Sequence, residues 1–374
     1  MKKLLGLLLG AASIFTFTAC GAGKTKETLK VLNWGDYINE DLLEKFEKEN
    51  KCKVDIILSE SNEDMYLNIK NKKSKYDIAV PSDYMISKLQ KEGLLNRIDT
   101  SKLTNYSEGM FRESLQTLIN TDGAEYKDYF VPYFWGSLGI MYNKKKAGVE
   151  EAVKANGFKC LFDSSVLPTG TTRGMYDCAR DAFASAEAYL GYSLNTEDDA
   201  ELKACRDLLK ANTYQGRGGD DLKGKVAAGN LDLALVYSGD YFDQRYKFIE
   251  DGQDADSMFG LYAPTTKNNV FYDGLVIPTT SENVDLAHKF IDFFLDTDNS
   301  FENTDYVGYS ATIEAVYQEY VSLANDTEGE DYEYYHALMA IDAYDPSKIT
   351  GGEVYKYISN DFDSKLEKYY SESK

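Results

Sequence analysis

Histidine is nearly missing from this chain: there are two in 374 residues, His288 and His336. Neither Gly-x-Ser-x-Gly nor His-Glu-x-x-His occurs. Both absences argue against acyl transfer through an activated serine and against zinc hydrolysis, while hydrolysis run by carboxylates alone, as in glycoside cleavage, stays open. Positive charge is short as well. Lysine and arginine total 41 against 62 aspartates and glutamates, a net charge of −21, which argues against nucleic acid or an anionic membrane surface as a partner. Cysteine is limited to five residues. The spacings of Cys52, Cys160, Cys178 and Cys205 match no zinc pattern, and spacing alone leaves open whether they form disulfides. Beyond the first residues, no apolar run approaches the roughly 20 residues needed to cross a bilayer.

What is present begins at the N-terminus. The run Gly-Ala-Gly-Lys-Thr, ending at Thr25, looks like the tail of a phosphate-binding loop. Such a loop needs another glycine five positions before Gly23, where this chain has Thr18, and it should follow a buried strand. Instead it follows Met1, Lys2, Lys3 and an apolar stretch over residues 4–17. A basic start, a short apolar core and Ala19 before Cys20 describe a secretory signal that resembles that of a bacterial lipoprotein. The expectation is a signal over residues 1–19, a lipidated Cys20 and a tether over residues 20–27. The chain would then sit on the outer face of the cell membrane, or in a periplasmic compartment if the cell has an outer membrane.

Further on, "TLKVLNW", "KVDIIL" and "YDIAV" read as strands. They alternate with helices in "NEDLLEKFEKEN", "NEDMYLNIKNK" and "SDYMISKLQKEG", the last capped by Ser82 and ended by Gly93. This alternation predicts an α/β fold with a parallel sheet and right-handed crossovers. A second α/β pattern follows: strands in "FVPYFWGSLGIMYN", in "LDLALVYSGDY", which closes in an aromatic–acid loop, and in "NVFYDGLVIP", a helix in "ARDAFASAEAYLGYS" ending at Gly191, and an amphipathic helix in "DLAHKFIDFFLD". Residues 325–374 carry helical spacing and read as folded. A mature chain of this length is long for one core, so two domains are expected.

Ligands of open α/β sheets sit beyond the carboxyl ends of the strands. The loops there are Asn33-Trp34-Gly35-Asp36-Tyr37, Ser59-Glu60-Ser61 and Pro81-Ser82-Asp83-Tyr84. They are rich in aromatics and carboxylates and contain no Arg, Lys or His. Anion sites want bare amides and a cation; these loops suit a cation with apolar parts. Trp34 on its own would serve equally well as core.

These segments, with "LNWGDYINEDLLEKFEKEN", "YDIAVPSDYMISKLQKEGLL", "FYDGLVIP" and "VGYS" in the same order, resemble the polyamine-binding proteins of bacterial ABC importers, the spermidine/putrescine type, over nearly the whole mature length. The resemblance implies a two-lobed, type II periplasmic-binding-protein-like fold with crossing hinge strands and a ligand cleft between the lobes. One lobe is expected over residues 28–134 with about 272–312, the other over about 135–271 with about 313–374. It implies that Trp34 and Tyr37 stack along the ligand's methylenes, with Asp36 near an ammonium. Ser82 and Tyr84 would line the first lobe's side. Asp181, Tyr237, Phe271 and Tyr309 match family site positions, and Asp273 matches the acid that grips an amine. The implied partners are a small polyamine and permease subunits, with the chain itself a monomer and no cofactor, metal or catalytic residue.

The chain departs from the family pattern at several points. Cys178 stands where some spermidine binders have an acid, Tyr237 and Phe271 replace tryptophans, and a family glutamine falls at Tyr355. A diamine and a triamine both remain open. Trp135 either packs the hinge or touches the ligand. Thiamine, another organic cation and a carboxylate-based extracellular hydrolase are the alternatives. Ferric iron is disfavoured, since neither histidine falls in the loops.

The physics fits a cationic ligand. Each buried ammonium needs a carboxylate partner, aromatic faces add roughly 0.5–2 kcal/mol per cation, and each buried CH₂ adds roughly 0.8 kcal/mol.

Overall fold

The computed structural model describes residues 27–71 and 73–374. Cys20, the signal and most of the tether lie outside the described residues. Eleven strands are formed among them: β1 (Thr28–Asn33), β2 (Lys53–Leu58), β3 (Ile78–Ala79), β4 (Leu95–Asn96), β5 (Phe130–Asn143), β6 (Arg173–Tyr176), β7 (Gly216–Gly218), β8 (Leu233–Tyr237), β9 (Phe259–Tyr262), β10 (Val270–Pro278) and β11 (Ser310–Ala311). They join in the order β2-β1-β3-β10-β5-β8-β6-β7, with β4 beside β10 and β9 and β11 beside β5.

The parallel pairs expected from strand–helix alternation are β1 with β2 and β3, and β6 with β7 and β8. The sheet as a whole is mixed, because the two long strands run against their neighbours. Residues 130–137 of β5 pair with β10, and residues 138–143 pair with β8 and β9. The partner change at Ser137 splits the strands into two groups on either side of one crossing. Strand β10 begins opposite Ser137 and ends against β3 and β4.

Local chemistry explains the elements. Helix Glu40–Asn50 starts where the Asn39 side chain accepts from the Asp41 N–H, and it buries Leu42 and Phe46. Phe46 meets Phe290 and Phe293, at 5.2 and 5.4 Å between ring centroids, on the amphipathic helix Val284–Leu295. Helix Ala179–Leu190 ends at Gly191, whose φ of 82° favours glycine. Helices Tyr332–Met339 and Asn360–Ser373 confirm that the acidic C-terminal stretch is folded.

Two expectations are corrected. Ser82 occupies the N-cap position of helix Asp83–Lys91 but makes no side-chain cap; its hydroxyl instead accepts from Asn62, at 3.0 Å. The "SGDY" that follows β8 is the first turn of helix Ser238–Glu250, not a loop, because the Asp240 carboxylate accepts the Tyr237 N–H at 2.9 Å. Cys160, Cys178 and Cys205 carry free thiols.

Candidate functional site

Side chains alternate across a strand, so Phe271 and Asp273 share one face of β10. The register of β10 against β5 shifts between Asp273 and Gly274, the kind of irregularity that re-aims a side chain. Asp273 also bridges to Ser82 at the start of helix Asp83–Lys91. Asp273 is 4% exposed. Oδ2 accepts from the Tyr37 hydroxyl at 2.5 Å, while Oδ1 has no partner of ordinary hydrogen-bond geometry. Burial pushes the Asp273 carboxyl up to about 6, against the pull of Ser82 and Tyr37 toward the charged form. Asp83 lies beside it, fully buried, with Oδ1 on the Tyr84 N–H at 2.6 Å. Burial holds its carboxyl well above the usual range, with the Asp273 charge adding to the effect.

Aromatic rings surround this acid. Tyr37 meets Tyr309 edge to face at 4.9 Å, Phe271 lies 6.3 Å from Tyr309, and Tyr237 lies 4.9 Å from Phe271. The Tyr309 ring rests directly on Gly239: a Cβ there would fall 2.1 Å from the ring. Only glycine permits that approach. Trp34 is half-buried and anchored by its indole N–H, which donates to the Val80 carbonyl at 2.7 Å.

The second acid is Asp181, in the first turn of helix Ala179–Leu190 and 2% exposed. Its Oδ1 accepts from the hydroxyls of Tyr237 at 2.8 Å and Tyr355 at 3.1 Å. Burial again raises the carboxyl to about 6, opposed by Tyr237, the Cys178 thiol and Tyr355. Tyr237 thus sets its hydroxyl on Asp181 and its ring on Phe271, which shares a face of β10 with Asp273. Tyr84 belongs to the Asp181 side: its ring faces Tyr355 at 6.0 Å and its hydroxyl donates to Glu63 at 2.9 Å.

Ser82, Tyr37, Phe271, Tyr309 and Asp273 thus lie together, and Asp181, Tyr237 and Tyr84 form a second group beside Phe271. Asp36 does not join either group. Its backbone takes a φ of 50° and its carboxylate turns to Lys247, at 2.9 Å. Partial burial works upward on Asp36, but the hydrogen bond and charge of Lys247 outweigh it and hold the carboxyl low. Trp135 is core: it is 1% exposed and its indole donates to the Ala311 carbonyl at 3.0 Å.

Sequence reasoning missed Asp83, Glu63, Asp240, Tyr176 and Lys247. Asp240 is buried and accepts from the hydroxyls of Tyr309 at 3.2 Å and Tyr176 at 3.4 Å. Burial raises its carboxyl, and the Lys223 ammonium pulls it back down.

Two buried carboxyls with aromatic rings beside them could pair with a cation that has apolar parts. The family model for bacterial extracellular solute-binding proteins matches residues 32–300. A spermidine/putrescine-binding periplasmic protein of Salmonella typhimurium is 32% identical over 313 residues, covering 83% of this chain and 84% of that one. A putrescine/cadaverine-binding protein of Pseudomonas aeruginosa is 30% identical over 317 residues, covering 82% and 84%. Among solved structures, a Listeria monocytogenes chain described as a spermidine/putrescine ABC transporter superposes with a TM-score of 0.75 at 32% identity, covering 93% of this chain and 99% of that one. The substrate-binding protein of the spermidine/putrescine ABC transporter of Streptococcus pneumoniae superposes at 0.68 with 28% identity, covering 93% and 98%.

Proposed function

The chain belongs to the bacterial extracellular solute-binding proteins, transport proteins rather than enzymes, and from that premise we propose that it captures a polyamine, putrescine or spermidine, for an ABC importer. The observation that carries this reading is the pair Asp181 and Asp273: both are buried, and their hydrogen-bond donors are hydroxyls and a thiol rather than protein cations. An alkylammonium brings the missing charge, and its methylenes are covered by Phe271, Tyr237, Tyr309 and Trp34. Tyr37 and Ser82 orient Asp273, and Tyr84 closes the Asp181 end. The lobes are taken as residues 28–134 with about 272–312, and about 135–271 with about 313–374. They would rotate about β5 and β10, and ligand would favour the closed state. On this reading the Phe271–Tyr309 and Tyr84–Tyr355 ring contacts would span the two lobes, and ligand entry would require the lobes to part. Cys20 would carry the lipid that holds this monomer outside the membrane, next to its permease subunits.

A thermal-shift panel of putrescine, spermidine, thiamine and neutral sugars tests the reading. A cognate amine at 100 times its Kd should stabilise the protein by about 2.7 kcal/mol, while sugars leave the midpoint unmoved. A panel in which neither polyamine shifts the midpoint at millimolar concentration refutes it.

A further inference from the structure

The charge of this chain is unevenly spread. Its excess of acids argues against an anionic surface as a partner of the chain as a whole, yet residues 70–75 read Lys-Asn-Lys-Lys-Ser-Lys, four lysines in six. That run joins helix Asn62–Lys70 to β3. Strands β1 and β3 are parallel, with Val31 opposite Ile78, so the approach to β3 lies beside the start of β1. The Lys30 N–H there donates to the Asp77 carboxylate at 3.0 Å. Lys30, Lys73 and Lys75 thereby line one open cleft of about 320 Å³, together with Thr28, Asp77 and Glu282.

The acids of this cleft are already served. Asp77 is 2% exposed and accepts from the Ser281 hydroxyl at 2.8 Å and the Asn283 N–H at 3.1 Å, as well as from Lys30. Glu282 pairs with Lys75. Lys30 and Lys73 are exposed and form no ion pair with any described residue, although Asp55 is the register neighbour of Lys30 on β2. In a chain with 62 acids to 41 bases, two cations left over in one cleft suit an anion from outside.

The position of the cleft selects among anions. Trp34, Tyr37 and Ser82 follow the carboxyl ends of β1 and β3, whereas the lysines gather at the amino ends, about 20 Å away along the six residues of β1. Thr28, in the cleft wall, lies eight residues after Cys20, a reach of at most about 30 Å. Lys24 and Lys26 in that segment carry charge of the same sign. At physiological salt, fields fade over about 8 Å, so acids elsewhere on the chain weigh little against lysines held at a surface.

Resting on the reading that Cys20 carries a lipid, we infer that this cleft seats on the phosphates of anionic lipid headgroups. It holds the amino ends of β1 and β3 against the bilayer and turns the candidate site toward the medium. Each lysine at such a surface shifts the equilibrium by about fivefold.

The test couples the chain from Cys20 onward, through its Cys20 thiol, to a maleimide lipid in vesicles, so that anchoring does not depend on natural lipidation. A neutral acetylating reagent then maps lysine reactivity by mass spectrometry on phosphatidylglycerol and on phosphatidylcholine vesicles. On the anionic vesicles Lys30, Lys73 and Lys75 should react about fivefold more slowly or less, while the exposed Lys145 and Lys203, outside the cleft, should not change. Salt at about 0.5 M should erase the difference. Lys30→Gln combined with Lys73→Gln should strip Lys75 of its protection. Both side chains are exposed, so that variant should fold, which its unfolding midpoint checks. Equal reactivity of the three lysines on the two surfaces overturns the inference and leaves the lipoprotein reading standing. Equal protection by millimolar glycerol phosphate without vesicles assigns the cleft to a soluble phosphate and overturns the lipid assignment. A native chain whose Cys20 bears no lipid, read from the mass of its N-terminal peptide, overturns both.

Discussion

Lowering the pH from 7 to 5 is expected to weaken putrescine binding by about 100-fold. Asp181 and Asp273 are both raised by burial to about 6 from an ordinary 3.8. At pH 7 each is roughly nine-tenths ionised, and at pH 5 roughly one-eleventh. The ligand's ammonium groups stay charged throughout, since alkylamines titrate near 10. Each acid must therefore lose its proton before it can pair, and each contributes about tenfold over that range. The sign for the ligand-free protein runs the other way. A folded-state value above the unfolded one means extra protons held by the folded chain. The stability this supplies is complete below about 3.8 and lost as pH rises through about 6. A shift of about two units at each fully buried acid corresponds to roughly 3 kcal/mol apiece. At neutral pH, ligand binding offsets that loss by supplying the counter-charge. Isothermal titration at several pH values, in a pair of buffers of clearly different ionisation heat at each pH, measures both affinity and proton release. Nearly two protons should leave on binding at pH 5 and almost none at pH 7.5. An affinity constant from pH 5 to 7, with no proton exchanged, would refute the assignment of these two acids to the ligand.

Three further outcomes are expected. Asp273→Asn keeps the shape but strands a cation in the closed site, so putrescine affinity should fall by roughly 2–5 kcal/mol in titration, with the unfolding midpoint checked; an unchanged affinity removes Asp273 from the site. Gly239→Ala places a methyl into the Tyr309 ring and should displace that ring, which titration would read as affinity lost by about tenfold or more. Cys20→Ser should move the protein from the membrane to the soluble fraction on fractionation, with binding retained, because lipid rather than protein would supply the anchor.

The elements that frame the site were legible because their apolar patterns are unambiguous. The run "FVPYFWGSLGIMYN" reads as one long strand and forms Phe130–Asn143. Asp273 stands out because an acid inside an apolar strand must have a reason to be there. The rest depended on distance along the chain. Asp36 and Lys247 are 211 residues apart, and nothing local to either announces that they meet. Asp83 opens a helix, where an acid ordinarily faces water and the helix dipole, yet folding brings β10 across it and buries it completely. Tyr237 read as a replaced tryptophan. Its hydroxyl, which an indole lacks, turns out to be a donor to Asp181. The start of helix Ser238–Glu250 was misjudged although its signal was local, an acid three residues after Tyr237 whose carboxylate caps the Tyr237 amide.

The placement of β10 has a consequence for how the chain acquires its shape. This strand lies between β3 and β5, pairing Val276 with Ala79 and Tyr272 with Trp135. A nascent chain is made from its N-terminus, so β1, β2 and β3 exist long before the strand that joins them to β5. Until residue 278 has emerged, β3 keeps an open edge and the sheet is incomplete. Contacts this distant make for slow folding. The first sheet of this chain therefore cannot close until about its last third has been made, and the pairing of β10 with β3 and β5 is a late step in its folding.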